Sequence, residues 1–499
     1  MTTDPRARLQ SSIRQEFGAL YDQAHWPDAA RSLAVTRERD ELVRDLIVNG
    51  AIEATSGTKL HSGPLSRGCR SCMAGTWSCL YITERCQASC FYCPQDAQSQ
   101  RDGEFVPNGE GMSFEDPELY ADYVAACGVD GVGVSGGEPL IDLDRVLATV
   151  AAVKDRTEGR VYVHVYTNGL MVTRERLASL RAVGVDELRV DIAACRYETS
   201  ALALAREYVD TLTVEIPAIP EDEERLTGVL GDLAAIGVDH LNLHQLFATR
   251  FNASALVARG YTLLHQRPVA VMESEFTALR VFGESLRQGI DLNVNYCCPV
   301  YKARFQPRKS MARAAALACR AHEEVTWPGY VRRVVLHDTP ERLAVLQQDL
   351  RARGHDVEWT NGDAGSGAMA VGLEALRATD LGSAALTVSH FRVESRACGP
   401  VDEAPCEDSE GWEELLQLAH GRLVGRRTLV TEIRLTHPAA RDACLRLLLD
   451  GWDEPREASR IRSVDVASGQ ELKTLLAEWS IVGLLRPGEV IEGGLGPIA

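Results

Sequence analysis

The chain has 499 residues, 45% of them hydrophobic and 25% charged, which gives room for two or three domains with ample cores. Lys plus Arg total 53 against 71 Asp plus Glu, a formal net charge of −18; so acidic a surface disfavours a long phosphate-backbone interface and argues against nucleic acid as a partner. No apolar run is long enough to span a bilayer, and the opening Met-Thr-Thr-Asp-Pro-Arg-Ala-Arg lacks the apolar stretch of a secretory signal, so the expectation is a cytoplasmic protein without a membrane.

In chain order, Leu9, Ile13, Phe17, Leu20 and Tyr21 recur at helical spacing. Leu42, Val43, Leu46 and Ile47 repeat the pattern before Asn49-Gly50 stops it. Residues 1–66 are therefore expected to form a helical cap. From Trp77, strand-like runs follow at Ser78–Thr83, Gly131–Ser135, Arg160–Tyr166, Asp186–Asp191, Thr211–Ile216 and His240–Leu246, with helical patterns between them such as Thr173–Ala182 and Asp222–Ile236. Six βα units in succession predict a parallel sheet curled into a full or partial (β/α)6 barrel over residues 67–325. Active sites of such barrels lie at the C-terminal ends of the strands. After about Trp327 the pattern changes. Tyr330–Leu336, Ala385–Val393 and Thr428–Leu435 read as strands, Pro340–Arg353 and Ala439–Leu449 as helices, and Asn361–Gly367 and Asp402–Glu414 as linkers. Residues 326–499 are read as a separate α/β domain without a chemical motif.

The cysteines carry most of the chemistry. Fourteen are present and six fall between Cys69 and Cys93; in a reducing compartment such clustering argues for metal rather than disulfides. Cys127, Cys195, Cys319, Cys398, Cys406 and Cys444 are scattered singly and read as core or surface thiols. Cys86, Cys90 and Cys93 are spaced C-x3-C-x2-C directly after the first strand-like run. Three thiolates on one loop can hold three irons of a cubane cluster and leave the fourth open, whereas such clusters normally take four cysteines. A structural zinc site, which pairs C-x2-C knuckles and closes with four ligands, fits this spacing poorly. Upstream, Cys69-Arg-Ser-Cys72 and then Cys79 form a second set at a common metal-ligand spacing. A fourth ligand is expected from Asn295-Tyr296-Cys297-Cys298-Pro299, with Cys297 preferred because it lies nearer the strand-like run Asp291–Asn295. This set would hold a second 4Fe–4S cluster or a single metal ion. An extended strand rises ~3.3 Å per residue, which sets Cys79 roughly 20 Å from Cys86, toward the far end of the barrel; Cys297, following a strand, argues for the near end instead.

The cysteine loop with its aromatic Tyr92, and Ser135-Gly136-Gly137-Glu138-Pro139 one βα unit later, resemble the radical S-adenosylmethionine (radical SAM) superfamily over about Arg67 to Lys309. The resemblance implies a 4Fe–4S cluster on Cys86, Cys90 and Cys93, with SAM chelated at the open iron. It implies Gly136, Gly137 and Glu138 at the amino group of SAM, and Thr167 and Asn168 of Tyr166-Thr167-Asn168-Gly169 near its ribose and methionine end. Glu215-Ile216-Pro217 resembles the segment that packs against adenine in glycyl-radical activating enzymes, with Ile216 as the apolar contact. A flavodoxin or ferredoxin electron donor is implied too. The expected activity is reductive cleavage of SAM to a 5′-deoxyadenosyl radical that abstracts hydrogen from a small-molecule or peptide substrate. The alternative is a non-catalytic iron–sulfur or zinc protein acting as electron carrier or scaffold. Taken alone, Gly-Gly-Glu-Pro is a tight turn, and Glu215–Pro217 an ordinary strand end before an acidic first helical turn. Asn242 and His244 alternate on one strand and so face one side, as substrate contacts or as barrel-interior groups. Lys302, Arg304, Arg308, Lys309 and Arg313 form a basic cluster, either a solvated helix face or a phosphate or carboxylate clamp.

Overall fold

The computed structural model describes residues 5–55, 58–95, 106–107, 112–114, 116–327, 329–360, 367–377, 379–399, 411–436 and 438–449. Seven strands run parallel and pair in sequence order: β1 (Trp77–Tyr81), β2 (Gly131–Ser135), β3 (Tyr162–Thr167), β4 (Glu187–Val190), β5 (Thr211–Pro217), β6 (His240–His244) and β7 (Asn293–Cys297). The seventh extends the six-unit barrel expected from the sequence. Short antiparallel strands continue the sheet at both margins, Lys59–His61 and Ile52–Ala54 beyond β7, and Val106–Pro107 beyond β1. Among the described residues the margins do not pair with each other, so the described sheet is open. Residues 1–66 are thus more than a helical cap: their last two strands belong to the barrel sheet.

The two-residue period of a strand sorts the side chains. On β5, Leu212, Val214 and Ile216 are fully buried in one apolar core with Leu226, Leu230 and Leu233 of the helix Glu223–Ile236. Thr213 and Glu215, between them, bond to residues of β4 and β6 across the barrel interior. His164, Glu187, Arg189, Thr213, Asn242 and Asn295 are buried polar residues on β3 to β7.

The helix Arg67–Ala74 closes the lower end. Ser66 caps it by accepting from the Cys69 N–H at 3.1 Å, and Gly75 ends it in the left-handed conformation (φ 73°), which favours glycine. Pro64, Leu65, Ser66, Arg67 and Arg70 line a cavity with Tyr162, Thr211, His240 and Asn293, the first residues of β3, β5, β6 and β7. Gly131 on β2 is bare because a Cβ there would stand 2.7 Å from the Ser71 Cβ.

The N-terminal helices Pro5–Phe17 and Ala29–Val48 pack outside the barrel. Ile13 and Phe17 share a core with the excursion between β6 and β7, and Phe91 and Tyr92 of the cysteine loop lie against it. The C-terminal unit is an antiparallel sheet of β8 (Val331–Asp338), β9 (Val357–Thr360), β10 (Gly367–Val371), β11 (Ala385–Cys398), β12 (Trp412–Leu418) and β13 (Gly421–Leu435), in the order β9-β10-β8-β11-β13-β12. Helices Pro340–Ala352 and Pro438–Leu449 share its core. The turn before β13 joins it to the barrel: Asp122 accepts from the His420 N–H at 2.6 Å and pairs with Arg156. Of the two expected linkers, residues 361–366 and 402–410 lie outside the described residues. Cys398, read as an isolated thiol, is disulfide-bonded. Among the described residues no helix is long and apolar enough to cross a membrane.

Candidate active site at the mouth of the barrel

The loop carrying Cys86, Cys90 and Cys93 leaves the C-terminal end of β1 and is tied to four neighbouring strands or their loops. The Gly137 N–H donates to Thr83 O at 2.7 Å and the Glu138 N–H to Arg85 O at 2.8 Å. Asn168 Nδ2 reaches Cys86 Sγ at 3.6 Å, and the Asn168 and Gln87 amides bond at 3.2 Å. Tyr92 donates its hydroxyl to Asp191 at 3.0 Å, and Asn252 Nδ2 donates to Tyr92 O at 2.9 Å. All three thiols are free and half-buried. Burial pushes the Cys90 thiol up to about 11, against a hydrogen bond from Tyr92, and raises Cys93 as well.

These ties give Gly-Gly-Glu-Pro a packing role as well. A Cβ on Gly137 would stand 2.6 Å from Glu84 O and closer still to Arg85 O, and one on Gly136 would meet Thr83 O. The space that the glycines leave is filled by backbone of the cysteine loop. Glu138 is fully buried, accepting from Asn168 N (2.7 Å), Thr167 Oγ1 (2.9 Å) and Leu140 N (3.0 Å). Gly136, Gly137, Glu138, Thr167 and Asn168 therefore form one bracket that holds the loop. Ile216, expected against adenine, points to the helix layer and not into the barrel; the inward residue of that pair is Glu215.

Below the loop lies a buried polar network. Arg189 pairs with Glu187 and Glu215, each at 2.9 Å; Glu215 also accepts from Asn242 at 2.8 Å and meets His244 Nε2 at 2.7 Å. Burial works to raise Glu215, but Arg189 and then His244 hold it well below the usual carboxylate range. Burial, then Lys302, push His244 below the usual imidazole range, against its contact with Glu215. Its Nδ1 is buried without a hydrogen-bond partner among the described residues. Asn242 and His244 thus both face the interior.

The second cysteine set also converges on this interior. Cys69 Sγ lies 3.6 Å from Asn242 Nδ2 and 3.7 Å from Arg189 Nη2. Cys297 Sγ lies 2.6 Å from Lys59 Nζ, and Cys72 Sγ 3.5 Å from the Tyr301 hydroxyl. Cys298 turns away and caps the helix Pro299–Arg304, accepting from Tyr301 N at 3.4 Å. Cys79 sits inside β1, two residues before Tyr81, which is within electrostatic reach of Cys93. Cys69 thus lies at the level of the Arg189–Glu215–Asn242 network. Among the described residues no three Cys, His, Asp or Glu side chains stand close enough to enclose an ion as they are placed, the loop cysteines included. The loop's donor set, three thiols on one turn at the strand ends, fits a cluster with one open iron.

The basic cluster is largely occupied by backbone. Lys309 donates to Ala74 O, Arg313 to Gly75 O, and Arg308 to Trp327 O at 2.6 Å. Lys309 and Arg313 bind the free carbonyls at the end of the Arg67–Ala74 helix, where positive charge is favoured. Lys302 acts electrostatically on the interior, through His244. Asp191 and Lys59 were not singled out from sequence. Asp191 had a signal, a carboxylate at the C-terminal end of a predicted strand; a lone lysine before the barrel had none.

Residues 80–215 match the family described as the Radical SAM superfamily. A Methanocaldococcus jannaschii protein named as a candidate glycyl-radical enzyme activating enzyme is 27% identical over 305 residues, covering 59% of this chain and 80% of its own. A GTP 3′,8-cyclase of Rhodopirellula baltica is 33% identical over 146 residues, covering 28% of this chain and only 37% of its own. Among solved structures, Streptococcus suis SuiB bound to S-adenosylmethionine aligns with TM-score 0.33 and 11% identity, over 51% of this chain and 58% of that one. The matched segment begins in β1 and ends in β5, and so contains the three-cysteine loop and its glycine bracket. Over residues 80–215 the chain carries a radical SAM domain.

Proposed function

We propose that the protein reductively cleaves SAM at a 4Fe–4S cluster on Cys86, Cys90 and Cys93 and abstracts hydrogen from a small-molecule or peptide substrate held in the barrel mouth. When bound, the cluster and SAM supply a 5′-deoxyadenosyl radical; the protein supplies orientation and exclusion of water. The observation that carries the reading is the bracketing of the three-thiol loop by Gly137, Asn168 and Asp191 at the C-terminal ends of successive strands. Glu138 fixes the bracket by joining β2 to the end of β3. Glu215 and Arg189 hold Asn242 and His244 inward, where the free His244 Nδ1 can meet a polar group of the substrate. The relatives' names, one of an enzyme that activates an enzyme and one of a GTP cyclase, support testing both substrate classes. Flavodoxin or ferredoxin is the expected electron donor.

The test is anaerobic reconstitution followed by dithionite and SAM. Formation of 5′-deoxyadenosine is expected; a fully loaded cluster that yields none overturns the proposal. Transfer of deuterium from labelled metabolites or peptides into 5′-deoxyadenosine would then identify the substrate.

A further inference from the structure

We infer that Cys69, Cys72 and Cys297 form a second thiolate site inside the barrel for a thiophilic metal centre, with Lys59 as its fixed counter-charge; Cys79 of β1 is the remaining thiol of the set. The thiols come from the floor helix, β1 and β7, and all four are free. Around three of them the neighbouring groups are mostly donors. Asn295 Nδ2 stands 3.5 Å from Cys297 Sγ and 3.8 Å from Cys69 Sγ, so one amide serves both sulfurs. Asn242 Nδ2 and Arg189 Nη2 also point at Cys69, and the Tyr301 hydroxyl lies against Cys72. Hydrogen bonds of this kind orient and tune metal-bound thiolates.

Charge balance makes the same point independently. Arg189 is matched by Glu187 and Glu215. Lys59 is 1% exposed, has no carboxylate partner among the described residues, and its one described hydrogen-bond acceptor is Cys297 Sγ; the Tyr301 ring lies 4.6 Å from its ammonium. A buried ammonium needs an anion, and thiolates on a metal retain net negative charge after the thiols release their protons. An ion pair with Cys297 alone would leave the donors around Cys69 and Cys72 without a purpose. As placed, these sulfurs do not enclose an ion, and neither do those of the loop cysteines.

The experiment uses the full chain with Cys86→Ala, Cys90→Ala and Cys93→Ala combined, purified without oxygen and assayed for iron, zinc and acid-labile sulfide. Retention of about one metal centre per chain is expected, lost when Cys69→Ser and Cys297→Ser are added. Iron with sulfide identifies a cluster; iron alone or zinc identifies a single ion. A triple variant with wild-type circular dichroism that takes up neither iron and sulfide nor zinc overturns the inference. Should that variant fail to fold, single Cys69→Ser, Cys72→Ser and Cys297→Ser variants in the otherwise native chain decide. Each should lose metal while keeping an electron paramagnetic resonance signal that responds to SAM, and Cys298→Ser should lose none. Native metal counts in all three would refute the site. Lys59→Met should weaken retention against a chelator by about tenfold or more.

Discussion

Replacing Gly137 by alanine puts a carbon 2.6 Å from Glu84 O and from the Arg85 carbonyl carbon, in a place already filled by backbone of the cysteine loop. Neither neighbour is a flexible side-chain end, so the two segments must separate by about 1 Å to reach ordinary contact. That displacement breaks or lengthens the bonds from Gly137 N to Thr83 O and from Glu138 N to Arg85 O. At about 1 kcal/mol net for each bond, with about 1–3 kcal/mol for overpacking, the cost is roughly 3–5 kcal/mol, concentrated where the three thiols are held. The expected result is loss of iron and sulfide from the anaerobically reconstituted variant together with a lowered unfolding midpoint. Metal analysis and chemical denaturation of the same sample give both quantities. A variant that loads iron as the native protein does, yet binds SAM many-fold more weakly, would show that Gly137 faces the cofactor and that the bracket is misread.

Cys86→Ala, Cys90→Ala and Cys93→Ala should each abolish 5′-deoxyadenosine formation, and native-like yield from any one refutes the cluster assignment. Ile216→Ala should destabilise the protein by about 2–5 kcal/mol, as a core truncation does, with the KM for SAM unchanged; a raised KM at native stability would restore the adenine contact. Arg313→Ala should lower stability by about 1–2 kcal/mol through the uncapped Gly75 and Trp77 carbonyls, and weakened binding of a phosphorylated ligand at unaltered stability would instead favour the anion clamp. Burial pushes Asp191 from its ordinary 3.8 up to about 6, against hydrogen bonds from Tyr92, Ala193 and Ala194. The native state therefore holds a proton that the unfolded chain has released between about pH 4 and 6, and its contribution to stability is lost as pH rises through that window. Asp191→Asn should flatten the slope in denaturation of the metal-free protein, and an unaltered slope would assign the effect elsewhere.

The barrel was legible because strand and helix periods alternate so regularly from Trp77 to Leu246. The loop was legible because its spacing is chemically restrictive. What stayed hidden depended on pairing and direction. Lys59–His61 has no strand signal of its own and is a strand because β7 offers it an open edge. The inward side of β5 could have been read from its alternation: once Asn242 faces inward, its register partner Glu215 does too, and Ile216 cannot. No pattern tells whether a basic run meets solvent, a ligand or, as with Lys309 and Arg313, a helix end supplied from 235 or more positions away.

A barrel whose lower opening is filled by its own helix is a cup rather than a channel. Arg67–Ala74 lies against the bare face of Gly131, and His164 fills the space before Gly133, so the strands are lined from below before any ligand arrives. Depth is then the scarce dimension: a cup of this kind admits the tip of a long molecule and leaves its body outside. The floor has a second effect. Cys69 and Cys72 are built into it, so a motion that deepened the cup would also disturb the thiols. Shape selection and the integrity of the interior are thereby vested in the same eight residues.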